Sequence, residues 1–201
     1  MSSKKITTTK AMLAILHSSK AHSRSYFKPG RTIHCVNRMD KGKYSFVLQA
    51  KYGAVKIPGY FEPYFTPAQI LKLGAFEGKY MNDCLLEFPK EWFLGALKKN
   101  TLSPGAPDTR CNYFQIKSRQ SLGTWDRKGW LYGPDNRGWF QWYCRYYCGR
   151  RLPAVDAVQI KRWRAFQRHF AQVKKNCSAK NEDCRPKQRQ ALLQWAYNCF
   201  V

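Results

Sequence analysis

Between Asp156 and Lys175 the apolar residues Trp163, Phe166, Phe170 and Val173 recur at three- and four-residue steps, so this stretch reads as a long amphipathic helix with a core-facing stripe. Its opposite side carries Lys161, Arg164, Arg168 and Lys175, with Arg162 and Lys174 flanking, and no acid falls between Asp156 and Glu182. Upstream, residues 139–147 hold six aromatics in nine positions. At helical spacing Trp139, Trp142, Tyr143 and Tyr146 share one face and Gln141, Arg145 and Cys148 another, with stops at Gly149 and Pro153. Two shorter helices announce themselves by their starts. Thr66-Pro67-Ala68-Gln69 supplies a capping threonine, a proline at the first helical position and a glutamine at the third, and Leu73-Gly74 closes that turn. Phe88-Pro89-Lys90 opens the other, with Trp92, Phe93, Ala96 and Leu97 on its apolar side. Pro186 opens a last helix whose Leu192, Leu193, Ala196 and Cys199 point inward. A further helix is expected within 114–130, followed by a strong turn at Tyr132-Gly-Pro-Asp-Asn136.

The β-like runs are short. Tyr44–Ala50 and Gly53–Ile57, separated by Lys51-Tyr-Gly, predict a small hairpin. Residues 1–30 are rich in Ser, Thr, Lys and His, with one apolar stretch from Ala11 to Leu16 and a turn at Lys28-Pro-Gly-Arg31. The expectation is a mainly α fold: a compact helical domain over 41–201 with a small β-hairpin near the N-terminus, preceded by a basic, loosely ordered arm over 1–40.

Composition narrows the partner. With 44% hydrophobic and 15% aromatic residues the chain has enough apolar material for a core, yet its formal net charge is +24. Lys and Arg neutralise phosphates while rings and guanidinium planes stack on bases, so this pairing points to nucleic acid. Residues 1–56 carry twelve Lys/Arg against Asp40 alone, and residues 150–201 carry twelve against Asp156, Glu182 and Asp183. Two cationic flanks around a more neutral middle would focus the field on a site between them. A merely solvated basic surface is the competing reading, at the cost of unrelieved self-repulsion. No apolar run spans a bilayer and the start lacks a secretory signal, so no membrane partner and an intracellular setting are expected, with most of the eight cysteines free.

Three stretches, Phe65–Cys84, Arg137–Tyr147 and Cys184–Tyr197, resemble a family of uncharacterised proteins from bacteria, some eukaryotes and large viruses. The family carries no assigned activity and supplies no catalytic residue. The resemblance implies a self-contained domain over roughly 44–199 with a basic N-terminal extension peculiar to this chain.

Three constellations are candidates for chemistry. Gly74–Cys84 gathers Glu77, Lys79, Tyr80, Asn82 and Asp83 in one glycine-bracketed segment. A lysine amine beside carboxylates suits Schiff-base chemistry on an abasic sugar, or phosphate binding with general-base help, with Lys79, Asp83 and Glu77 as catalytic candidates. A capped turn explains the same residues without catalysis. The aromatic helix, mostly core, is bordered by Arg137, Arg145, Arg150 and Arg151, which join Lys161, Arg164, Arg168 and Lys175 as expected phosphate contacts. Zinc would draw on Cys144, Cys148, Cys177, Cys184, Cys199 and His169, but the paired two-residue spacings of zinc sites are absent and no cofactor is expected. A Cys177–Cys184 disulfide would suit an oxidising compartment, which the composition does not imply. His17, His22 and His34 read as solvated. The leading expectation is therefore a DNA- or RNA-binding protein; the alternatives are a nucleic-acid-processing enzyme, such as a glycosylase, lyase or nuclease, and a structural component of a ribonucleoprotein or packaged genome.

Overall fold

Capping chemistry sets several of the helix starts. In the computed structural model, which describes residues 7–40 and 42–201, Thr66 Oγ1 accepts from Gln69 N at 3.2 Å while Gln69 Oε1 accepts from Thr66 N at 2.8 Å. That reciprocal box opens helix α2 (Pro67–Leu73) as its sequence requires. Before it come α1 (Thr9–Leu16), strand β1 (Thr32–Cys35) and strand β2 (Tyr44–Val47). After it come α3 (Lys90–Lys98), α4 (Leu122–Arg127), α5 (Trp139–Cys148), α6 (Pro153–Asn176) and α7 (Pro186–Gln194). The described residues thus give a mainly α fold with one two-stranded antiparallel hairpin. None of their helices is long and apolar enough to cross a membrane.

The hairpin differs from the expected one in its partner. β2 falls in the expected first run, but it pairs with the upstream β1, Thr32 opposite Val47 and Cys35 opposite Tyr44. Residues 53–57 contribute only an isolated bridge, Ile57 to Phe61. The register turns Ile33, Cys35 and Phe46 inward, so burial rather than turn chemistry chose the pairing. Gly149 holds residues 49 and 50 against the end of α5, away from a hairpin turn into 53–57. It caps α5 with φ +114, its carbonyl accepts from Gln49 N and Ala50 N, and a Cβ there would lie 2.2 Å from the Ala50 carbonyl oxygen. The described part of the expected loose arm also has structure of its own: α1 packs on α3 and buries Met12 and Leu16, and Phe27 and β1 join the same core. Within 114–130 the expected helix shrinks to α4, six residues capped by Ser121.

α5 is the central element. Phe61 packs its ring edge-on against Tyr143, Tyr146 and Trp163, with centroids 5.0 to 6.3 Å apart. Nine of the ten α5 residues are buried, so its polar face does not meet water. Arg145 on that face is fully buried and donates to Glu87 at 2.6 Å, Asp40 at 2.7 Å and Asp135 at 3.1 Å. Arg150 closes on Asp135 from the other side at 2.6 Å. Asn37 donates to both Asp40 and Glu87, and Asn136 to Asp40. Both guanidiniums lie over aromatic rings, Arg145 over Tyr44 and Arg150 over Phe46.

α6 begins at Pro153, and Asp156 in its first turn accepts from Leu152 N and from Trp142 Nε1, each at 2.8 Å. Its end is joined to the start of α7 by a Cys177–Cys184 disulfide, a departure from the expected free thiols at these two positions. Buried Arg189 gathers the carbonyls of Ser178, Asn181, Cys184 and Cys199 and thereby fixes the same loop to the C-terminal segment.

Removing Arg145 leaves the buried Asp40 and Glu87 carboxylates without their cation. Arg145→Met is expected to cost about 3 to 5 kcal/mol of stability in urea denaturation, whereas Arg164→Ala on the exposed side of α6 should change it by about 0.5 kcal/mol or less. Equal, small effects for both would show that the cluster does not hold the fold.

Candidate functional site

The eight cations expected to contact phosphate divide into two groups. Lys161, Arg164, Arg168 and Lys175 are exposed on α6, and none pairs with a carboxylate among the described residues. Arg164 rests over the half-exposed Tyr60 ring at 4.2 Å. The other four are committed inside the structure. Arg145 and Arg150 belong to the buried cluster, and Arg137 donates to Asp83 at 2.8 Å and to the Tyr80 carbonyl at 2.7 Å. Arg151 stacks on Tyr146 at 3.8 Å and donates to the carbonyls of Tyr146, Arg150 and Ala54. Arg145 reads as a surface cation because helical spacing reports which residues share a face, not what that face meets, and Arg137, Arg150 and Arg151 because they border the same helix in sequence.

The proposed catalytic trio is not assembled. Glu77 is buried and paired with Arg119 at 2.8 Å. Lys79 donates to the Pro104 carbonyl. Asp83 accepts from Arg137 and, at 3.4 Å, from Arg38. The three side chains turn to three different partners because Phe76 and Glu77 both take left-handed backbone conformations, each with φ 57, which reverses the chain within the glycine-bracketed segment.

Cys35, Asp40 and Glu87 offer ligand atoms within 4.8 Å of one another, the right number and chemistry for a metal. The cation they hold is the Arg145 guanidinium, whose Nη2 also lies 3.3 Å from Cys35 Sγ. Burial, reinforced by Glu87, pushes the Cys35 thiol well above its ordinary range. A metal ion there would have to displace the guanidinium and a proton together. Of the spacing-based candidates, Cys144 and Cys148 are buried in α5 and feel the charge of Glu87, and Cys177 and Cys184 are bonded to each other.

Beside the cationic side of α6 runs a groove that no single stretch of sequence announced. A slot of about 450 Å³ lies between the 118–130 segment and helices α6 and α7. Trp125 and Trp130 line it from the first side, and Phe166, Trp139 and Trp195 from the other. Arg162 fastens the first wall by donating to the carbonyls of Gly129 and Trp130. A second hollow of about 460 Å³ continues past Ser118, Phe166 and His169 to Arg185 and Lys187. Neither is lined by a carboxylate. Burial, then the neighbouring Arg168 charge, holds His169 below its usual range.

Comparison with known proteins returned no matching family model, no similar curated protein and no similar solved structure. The functional reading therefore stands on the residue-level geometry. The groove residues missed in the sequence, Arg119, Trp125, Trp130, Gln194 and Trp195, come from two segments separated by all of α5 and α6; their only trace is a tryptophan count of seven, more than the aromatic helix and the α6 stripe absorb.

Thiol burial is directly measurable. Burial pushes Cys199 up to about 12 and raises Cys84, Cys144 and Cys148 as well, so at pH 8 these thiols stay protonated and shielded. Cys111 is the one free cysteine that is not buried. Iodoacetamide at pH 8 should label Cys111 first in the native protein, as read by peptide mass spectrometry. Early labelling of Cys144 or Cys148 would contradict the packing of α5.

Proposed function

We propose that this protein binds nucleic acid through the exposed cationic side of α6 and the groove beside it. One observation carries the reading: Lys161, Arg164, Arg168 and Lys175 project from one helix with no carboxylate partner among the described residues. A helix that needs only solubility mixes signs along its surface, because paired charges at three and four residues stabilise it. Here the acids have gone elsewhere. Five of the twelve, Asp40, Glu77, Glu87, Asp135 and Asp156, are buried together with four arginines, so the buried charges nearly cancel and the +24 excess lies outside them. Such a surface repels itself until a polyanion relieves it. The separate commitments of Glu77, Lys79 and Asp83 favour binding over the enzymatic alternative.

Affinity for an oligonucleotide should fall steeply with salt, and the Arg164→Ala/Arg168→Ala protein should bind all sequences more weakly, with the log-log salt slope reduced by about 2. Its melting temperature should match the parent's. Salt-independent binding, or an unchanged slope in the double variant, would assign the interaction to another surface.

A further inference from the structure

The slot beside α6 is built to accept something flat. Trp195 lies stacked between Trp139 and Phe166, at 4.9 and 4.8 Å, so its faces are covered and this wall closes the slot with ring edges. Across the slot stand Trp125, seated over Gly138, and Trp130, which is 46% exposed with the Lys128 ammonium 4.8 Å from its ring. The volume lies within the range of small-ligand sites. Three lining side chains each carry a buried polar atom with no hydrogen-bond partner: Tyr80 Oη, Arg119 Nε and Gln194 Nε2. Gln194 is only 6% exposed. All three atoms can donate, and native structures rarely leave buried donors unmatched unless a ligand or water completes them.

We propose that this slot receives one unstacked base of a single-stranded nucleic acid, with the adjoining phosphate in the hollow that leads past His169 to Arg185 and Lys187. The proposal rests on the nucleic-acid reading of the α6 surface and adds to it a place and a chemical form. Each part of the ligand has a counterpart. The exposed ring of Trp130 offers a face to the base, and the ring edges of the opposite wall close on it. The hollow offers cations and no acid to the phosphate. A duplex hides its base faces within the stack and fits neither wall; a single strand with its bases splayed out presents them. The charge of the lining also argues for this occupant, because the cations Arg162, Arg168 and Arg185 at the margin would hold no attraction for a neutral apolar molecule.

The test compares two single-stranded DNA oligonucleotides of equal length and charge, one bearing bases and one abasic throughout, by fluorescence anisotropy at fixed salt. The base-bearing strand should bind about tenfold more tightly or better, and it alone should quench the protein's tryptophan emission. Trp130→Ala, which removes an exposed ring and keeps the carbonyl that Arg162 uses, should abolish most of that preference while leaving the salt slope intact. Equal affinity for the two strands with a steep salt slope would overturn the base slot and leave the cationic surface standing. A base preference that Trp130→Ala does not change, with no quenching, would move the stacking site elsewhere and overturn this assignment. Failure of both strands to bind would overturn the slot and the nucleic-acid reading together.

Discussion

The buried charge of Arg145 is the constraint that the rest of the fold accommodates. Its guanidinium is fully buried and meets Glu87, Asp40 and Asp135, which reach it from before α3, from the turn after β1 and from the turn before α5. Taking such ions out of water is expensive, and attraction offsets the loss only when every lone pair and proton finds a partner. Most of these do. Both Asp40 oxygens and both Glu87 oxygens accept side-chain hydrogen bonds from Arg145, Asn37 or Asn136, and both Asp135 oxygens accept from Arg150. Burial alone would lower the Arg145 pKa, and Glu87 leads the carboxylates that reverse the effect and raise it instead. A cluster of this kind tolerates one arrangement of the segments that supply it, so the hairpin, the pre-α3 loop and α5 are positioned together.

The same cluster shapes the surface by removing acids from it. A small chain with few carboxylates can either scatter them among its cations or concentrate them where they hold the fold. Here Asp40, Glu87 and Asp135 are used in the core, and Asp83 and Glu77 neutralise Arg137 and Arg119 near it. What remains over α6 is cation beside cation.

The helices were legible where their causes are local. A threonine, a proline and a glutamine within four residues suffice to start α2, and the Trp163/Phe166/Phe170/Val173 stripe suffices to orient α6, because each depends on neighbours along the chain. β1 was not legible, since Thr32–Cys35 pairs with Tyr44–Val47 across an irregular connection and is chosen by the inward placement of Ile33, Cys35 and Phe46. Arg145 looked like a surface residue for a related reason: its partners lie 58 and 105 residues away, at Glu87 and Asp40. The exposed cations of α6 do lie on the side opposite its apolar stripe. The slot was not visible because its two walls come from 118–130 and from the middle of α6 with the end of α7, and only folding brings them together.

The walls of the slot are themselves held by the features that sequence reading assigned to other work. Phe76 stacks on Tyr80 at 4.6 Å and contacts Phe140 of α5, which is possible because the backbone turns left-handed at Phe76 and Glu77. Gly78 permits that reversal: a Cβ on it would lie 2.6 Å from Ser103 N. The turn then directs Glu77 onto Arg119, a lining residue, and so holds the first wall from behind while Arg162 holds it from the rim. Strained backbone persists where the surrounding structure over-determines it, and it concentrates at sites that bind. The glycine-bracketed segment therefore acts by positioning, since its carboxylate sets the arginine of the slot and its aromatic residues supply the floor.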